Sequence, residues 1–243
     1  MPNRHFIRSF PLVALMLVVA CSSGRETEEH GGAAPKNWSG LRDFDRIDLT
    51  GPDDVAVRQG RDFAVRAEGD PAAISQLEIR VVDGVLKIGR EPRWNLGWSS
   101  DKGATIHVTM PAISGASLTG SGDLKVDRVD GKAMKAALTG SGNLTLGAVA
   151  VDLLQAELTG SGDIYAQGGA KSVEVSITGS GDFDGDALKA GGGKVEIMGS
   201  GNSRFASDGA VAISILGSGD ANVKGKARCK ADIMGSGEAH CAP

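Results

Sequence analysis

Apolar and polar positions alternate with period two along most of this chain. Met134, Ala136 and Leu138, then Leu144 and Leu146, are separated by Lys135, Thr139, Asn143 and Thr145. Such alternation marks strands buried on one face. One short phrase punctuates it: LTGSGDL at Leu118 to Leu124, then LTGSGNL, LTGSGDI, ITGSGDF, MGSGNS, LGSGDA and MGSGEA. The first glycines are Gly120, Gly140, Gly160, Gly179, Gly199, Gly217 and Gly235, in steps of 18 to 20 residues. A fixed period of this length marks a solenoid, and glycine in every repeat disfavours helical coils. The pattern therefore predicts an all-β solenoid of short strands and turns. Each repeat makes one coil, and parallel coils stack about 4.8 Å apart.

Aligning the repeats by their glycines gives each position a direction. Two residues before the first glycine stand Leu118, Leu138, Leu158, Ile177, Ile197, Ile215 and Ile233, an aliphatic column that predicts an inward ladder. Four residues after it stand Leu124, Leu144, Ile164, Phe183, Ser203, Ala221 and Ala239, a second inward column that narrows along the chain. The serines between the glycines, Ser121 to Ser236, point outward or stack in hydroxyl ladders. The column of Asp123, Asn143, Asp163, Asp182, Asn202, Asp220 and Glu238 has two readings. Stacked carboxylates can hold calcium, but small polar residues after glycine are ordinary turn formers. The second reading is preferred, because asparagine occurs twice and the spacing differs from calcium-binding nonapeptide repeats.

One outward column changes character. Thr119, Thr139, Thr159 and Thr178 give way to Met198, Leu216 and Met234. Three stacked apolar side chains on an outer face form a contact surface, unless strand twist or a terminal segment covers them.

The earlier part of the chain reads as less regular coils. LTGPDDVAV at Leu49 to Val57 aligns with LTGSGDLKV at Leu118 to Val126, with Pro52 and Asp53 in place of Ser and Gly. DFAVRAEGD, LEIRVVDGVLKIGR and ATIHVTMP supply further alternating strands. Between them, Arg90 to Gly103 reads as a loop insertion carrying Trp94 and Trp98. These tryptophans either anchor a partner or plug an open end, which terminal coils require. The domain thus runs over residues 38–243, irregular to 117 and regular from 118.

The amino-terminal end has a different logic. Arg4, His5 and Arg8 precede an apolar run from Phe10 to Ala20. That run is shorter than the roughly 20 residues a bilayer requires and has the layout of a secretory signal. It ends in Val18-Val19-Ala20-Cys21, which resembles the bacterial lipoprotein signal, cut before a cysteine that then carries lipid. The expectation is a signal peptide over 1–20, lipidated Cys21 and a flexible tether over 21–37. No aspartate follows Cys21, which favours the outer membrane. The net charge is −4, and removal of the leader takes away only the bases Arg4 and Arg8. No basic patch is visible, so nucleic acid is not an expected partner.

Two further cysteines occupy inward positions of the last coil. Cys229 matches Met134, Leu154 and Val211, and Cys241 matches Val126, Leu146 and Val223. In an oxidising compartment the pair predicts a disulfide that caps this coil. Metal binding by the pair with His240 is the thinner alternative. No nucleophile and base stand at a recognised spacing, and GSG is not a phosphate loop, since no Lys-Ser/Thr follows. No metal, cofactor or catalytic residue is implied.

The GSG phrases, preceded by FDRIDLTGPDDVAVRQG and LEIRVVDGVLKIGR, resemble the bacterial head GIN domain family, described as putative auto-transporter adhesins. The resemblance covers Phe44 to Cys241 and implies a single-stranded right-handed parallel β-helix without lyase catalytic residues. Its implied role is adhesion. No translocator barrel is present in this sequence, so the lipid at Cys21 is the expected anchor. The expected function is a non-enzymatic, adhesin-like binding module of the cell envelope, facing periplasm or exterior, with a glycan or envelope protein as partner. The alternative is a self-assembling envelope scaffold, hence a homo-oligomer. A polysaccharide-active enzyme is a third reading, carried by fold alone.

Overall fold

The computed structural model describes residues 36–91 and 103–242. The leader, Cys21, most of the tether, Trp94 and Trp98 lie outside these residues. The strands in chain order are β1 (Arg46–Gly51), β2 (Asp54–Gln59), β3 (Ala64–Gly69), β4 (Leu77–Val82), β5 (Val85–Arg90), β6 (Ala104–Met110), β7 (Gly115–Gly120), β8 (Asp123–Gly140), β9 (Asn143–Gly160), β10 (Asp163–Gly179), β11 (Phe183–Ala190), β12 (Gly193–Gly199), β13 (Ser203–Ser207), β14 (Ala210–Gly217), β15 (Ala221–Lys224), β16 (Arg228–Gly235) and β17 (Ala239–Ala242). One short helix, α1 (Pro71–Gln76), joins β3 to β4.

These strands stack into a single-stranded parallel β-helix. The strand preceding each glycine phrase lies in one ladder, ordered β5, β1, β7, the ends of β8, β9 and β10, then β12, β14 and β16. The strand following each phrase lies in a second ladder, ordered β6, β2, the starts of β8, β9 and β10, then β11, β13, β15 and β17. The glycines stay in register from coil to coil, as Gly120 with Gly140 and Gly140 with Gly160.

The phrase has a physical reason. The first glycines turn the corner at positive φ, for example +128° at Gly140 and +126° at Gly160. That region is open almost only to glycine. The turned carbonyl of Gly140 then accepts two hydrogen bonds from the next coil, from the N–H of Ser161 at 2.9 Å and of Gly162 at 3.1 Å. The second glycine is needed for clearance. A Cβ on Gly162 would collide with the carbonyl oxygen of Gly142 one coil below.

The inward columns form one continuous core. Leu118, Leu138, Leu158, Ile177, Ile197 and Ile215 are each no more than 2% exposed. The expected narrowing at Ser203 is offset within its own coil. Phe183 shares its coil with Gly185, whereas Ser203 shares its coil with the buried Phe205, which pairs with Gly185. Large and small residues thus exchange places between the two inward columns, which keeps the interior filled. The step from 20 to 18 residues comes from the side after the second ladder, where the register shifts between Gly185 and Lys189.

The early region is a β-helix out of chain order. β1 and β2 form the second coil; the chain then runs outward and returns as β5 and β6, the first coil, before crossing to β7. The outermost strands, β4 and β3, pair antiparallel with β5 and β6. Between them lies α1, with Asp70 Oδ1 accepting from the Ala72 N–H at 2.8 Å and Pro71 in its first turn. Ala73 is buried and Ile74 packs on the core, so this end of the β-helix is closed. The rings of Phe44 and Phe63 meet at a tilt nearby, their centroids 4.8 Å apart, with Trp38 and Leu41 packed on the same core.

The other end is different. The Cys229–Cys241 disulfide is formed and ties β16 to β17. As expected, it caps the last coil, bridging the two strands of that coil. Among the described residues β16 pairs only with β14, and Ile233, the last rung of the inward ladder, is 37% exposed.

Candidate interaction surface

The outer face of the first ladder carries the apolar column expected from the repeats. Met198, Leu216 and Met234 stand in direct register and are 56%, 48% and 65% exposed. No described residue covers them. The same column holds exposed Thr119, Thr139, Thr159 and Thr178 in earlier coils, so the apolar stripe is confined to the late ones. Alternation two residues back places Glu196, Ser214 and Asp232 on the same face, which gives the stripe a polar rim. Ser176, Thr178 and Ile177 continue the shallow groove at its upper end.

The acidic column beside the turns is occupied with structural work. Asp123 Oδ1 accepts from the Asn143 N–H at 3.1 Å, Asp163 from Asp182 at 3.0 Å, Asp182 from Asn202 at 2.7 Å and Asp220 from Glu238 at 2.9 Å. Asn202 serves the Asp220 N–H in the same way at 3.0 Å. An amide oxygen does the same task as a carboxylate, which explains why Asn and Asp interchange. Each of these five side chains satisfies a backbone donor of the next coil at the corner. Among the described residues no group of His, Cys, Asp or Glu side chains is arranged to hold a metal ion.

Several other titratable residues form pairs on outer surfaces. His107 lies 3.7 Å from Glu68 and His240 lies 2.8 Å from Glu238. Cys229 and Cys241 are bonded to each other, so neither offers a thiolate beside His240. Lys171 pairs with Asp152 and Lys189 with Asp208, at 2.6 and 2.7 Å, beside the groove where the coils shorten. The hydrogen bond from Lys189, then that from the Lys226 N–H, hold the Asp208 carboxyl below the usual carboxylate range. Tyr165 is pushed up, first by desolvation and then by its hydrogen bond to Asp163. None of these clusters brings a nucleophile to a base.

One polar cluster went unread in the sequence. Asp53 stands where other phrases carry the second glycine, yet it is 1% exposed. The chain leaves β5 at Arg90 and enters β6 at Ala104. The Asp53 carboxylate reaches both of these positions. It accepts from Arg90 Nε at 2.7 Å, Arg90 Nη2 at 2.6 Å and the Ala104 N–H at 2.9 Å. It thereby clamps both stems of the insertion that carries Trp94 and Trp98. The substitution of Pro-Asp for Ser-Gly was the available signal; the partner, 37 residues away, was not.

The described residues thus form a parallel β-helix closed at one end by an antiparallel flap and bearing an outward apolar stripe. The chain belongs to the family described as "Putative auto-transporter adhesin, head GIN domain", which matches residues 43–227. Its fold matches that of a putative adhesin from Bacteroides fragilis with a TM-score of 0.76 at 18% identity, covering 84% of this chain and 94% of that one. A putative lipid binding protein from Parabacteroides distasonis matches with a TM-score of 0.65 at 20% identity, and a putative adhesin from the same species matches equally. Both cover 84% of this chain and 94% of theirs. No curated protein matches the chain in sequence. Among the described residues no helix is long and apolar enough to cross a membrane.

Proposed function

We propose that the chain is a non-enzymatic, adhesin-like binding module of the cell envelope, held at the outer membrane by lipid on Cys21. Recognition falls to the outer column Met198, Leu216 and Met234. The observation that carries this reading is the confinement of apolar side chains to one exposed column over late coils, where earlier coils carry threonine. Burying exposed apolar surface is worth about 25 cal/mol per Å², and a stripe of this kind on a soluble face marks a contact. Its polar rim suits an amphipathic partner, an envelope protein or the apolar face of a glycan. The names of the structural neighbours, adhesins and a lipid binding protein, are in keeping with a contact role.

The column itself supplies the test. Met198→Thr, Leu216→Thr and Met234→Thr together extend the threonine column already present and should leave the fold intact. Parent and triple variant are compared for retention on immobilised envelope proteins, a glycan array and lipid vesicles. The parent should be retained on one of these and the variant released. Equal retention of both would show that recognition lies elsewhere. Palmitate labelling of cells that make the parent or Cys21→Ser tests the anchor: label must depend on Cys21.

A further inference from the structure

We infer that the open end of the β-helix pairs with a second copy of this chain, β16 against β16, antiparallel and about a two-fold axis through Ala231. The backbone sets the first condition. Along this ladder the even-numbered residues of β16 point their polar groups back to β14, as the Arg228 N–H does to Gly209 O at 2.8 Å. Strand alternation then turns the N–H and C=O groups of Cys229, Ala231 and Ile233 toward the edge that no described strand pairs. In the same ladder the corresponding Val173 N–H reaches Gly192 O of the next coil at 3.1 Å. Such an edge is a template for another strand.

The side chains set the register. In earlier coils the lysine at this height is paired within the chain: Lys135 with Glu157 at 2.8 Å, Lys194 with Glu196 at 2.6 Å. Lys230 and Asp232, at the equivalent positions of β16, have no ion-pair partner among the described residues, although both are exposed. With Ala231 on the two-fold axis, Lys230 of each copy stands opposite Asp232 of the other, twice. Moving the axis to Lys230 pairs Asp232 with Arg228 but sets two lysines face to face, and moving it to Asp232 opposes two aspartates; the Ala231 axis alone of the three pairs opposite charges with no like charges directly opposite, which are destabilising. The same register makes Ala231 a hydrogen-bonded pair with its copy and sets Cys229 opposite Ile233, so every free edge group of these three residues finds a partner. It also puts Lys230 and Asp232 in the non-hydrogen-bonded sites, where side chains approach most closely.

The pairing covers exposed Ile233 and extends the inward ladder across the junction. It joins like ends, so it closes at two copies; the opposite end is covered by α1, β3 and β4. Lys36, which donates to Leu77 O at that opposite end, is then turned away from its counterpart. The paired assembly thus presents its two amino-terminal sides outward.

The test is sedimentation of the full chain in mild detergent over a wide concentration range. The parent should show a monomer–dimer equilibrium. Lys230→Asp and Asp232→Lys should each weaken it about tenfold or more by replacing two attractions with two repulsions. The double variant Lys230→Asp/Asp232→Lys should restore it. Circular dichroism checks that each variant keeps its fold, and neither side chain is needed within the monomer. A parent that stays monomeric, one that grows beyond a dimer, a dimer indifferent to the single swaps, or one that the double swap fails to rescue would each overturn the proposal.

Discussion

Adding one methyl group to Gly162 tests the packing logic at its tightest point. Gly162 does not need a positive φ, so alanine there isolates clearance between coils from backbone strain. The new Cβ meets the carbonyl oxygen of Gly142, and the coils must separate locally to admit it. Separation weakens two hydrogen bonds to Gly140 O, from Ser161 and Gly162, each worth about 1 kcal/mol. Overpacking a close-packed site adds about 1–3 kcal/mol. The expected loss is therefore about 3–5 kcal/mol, a large part of the 5–15 kcal/mol typical of a folded domain. Urea unfolding followed by far-ultraviolet circular dichroism measures it, with an unchanged slope showing that the unfolding reaction is the same. Ser161→Ala, on the exposed side of the same turn, should cost about 0.5 kcal/mol or less. A Gly162→Ala protein within about 0.5 kcal/mol of the parent would refute the claim that the second glycine is required for clearance.

Three further outcomes are expected. Asp53→Ala removes the buried carboxylate that Arg90 and the Ala104 N–H both bond, which should cost about 3–5 kcal/mol in the same assay and quicken limited proteolysis within the 91–103 insertion. Cys229→Ser/Cys241→Ser opens a loop of 12-residue separation and should lower stability by about 3 kcal/mol, measured against the parent under non-reducing conditions. Asp208, with its carboxyl held low, stabilises the fold above the ordinary carboxylate range and loses that contribution as pH falls through its lowered value. The urea midpoints of parent and Asp208→Asn should accordingly differ at neutral pH and converge in acid.

The regular half of the molecule was legible because each coil states the same local rule. Leu118 through Ile215 needed no knowledge of distant residues to be read as one buried ladder, and the glycine register follows from the same spacing. The irregular half was not, because its order in space departs from its order in the chain. LTGPDDVAV announces a coil, but nothing local says that β5 and β6 come to lie before it. The helix α1 did carry a signal, Asp70 followed by Pro71, a good amino-terminal cap; at six residues it was masked by the strand alternation on either side. Asp53 looked like a worn copy of the glycine phrase. Its role depends on Arg90 and Ala104, which only the crossing chain brings to it. The exposed column Met198, Leu216 and Met234 was visible as a break in the threonines, whereas its exposure rests on what lies beside it in the fold. The open edge of β16 was hidden for a related reason, since a disulfide within the last coil reads in sequence as a closure of that coil.

The account stands or falls on the regular axial stacking that sets the apolar column in line on the outer face. Spin labels on Thr119→Cys with Met198→Cys, and on Thr119→Cys with Met234→Cys, measure it directly by pulsed electron resonance. These pairs lie four and six rungs apart by register, or about 19 and 29 Å of rise. The account predicts that the second distance exceeds the first by about 10 Å. Equal distances, or a shorter second one, would contradict it.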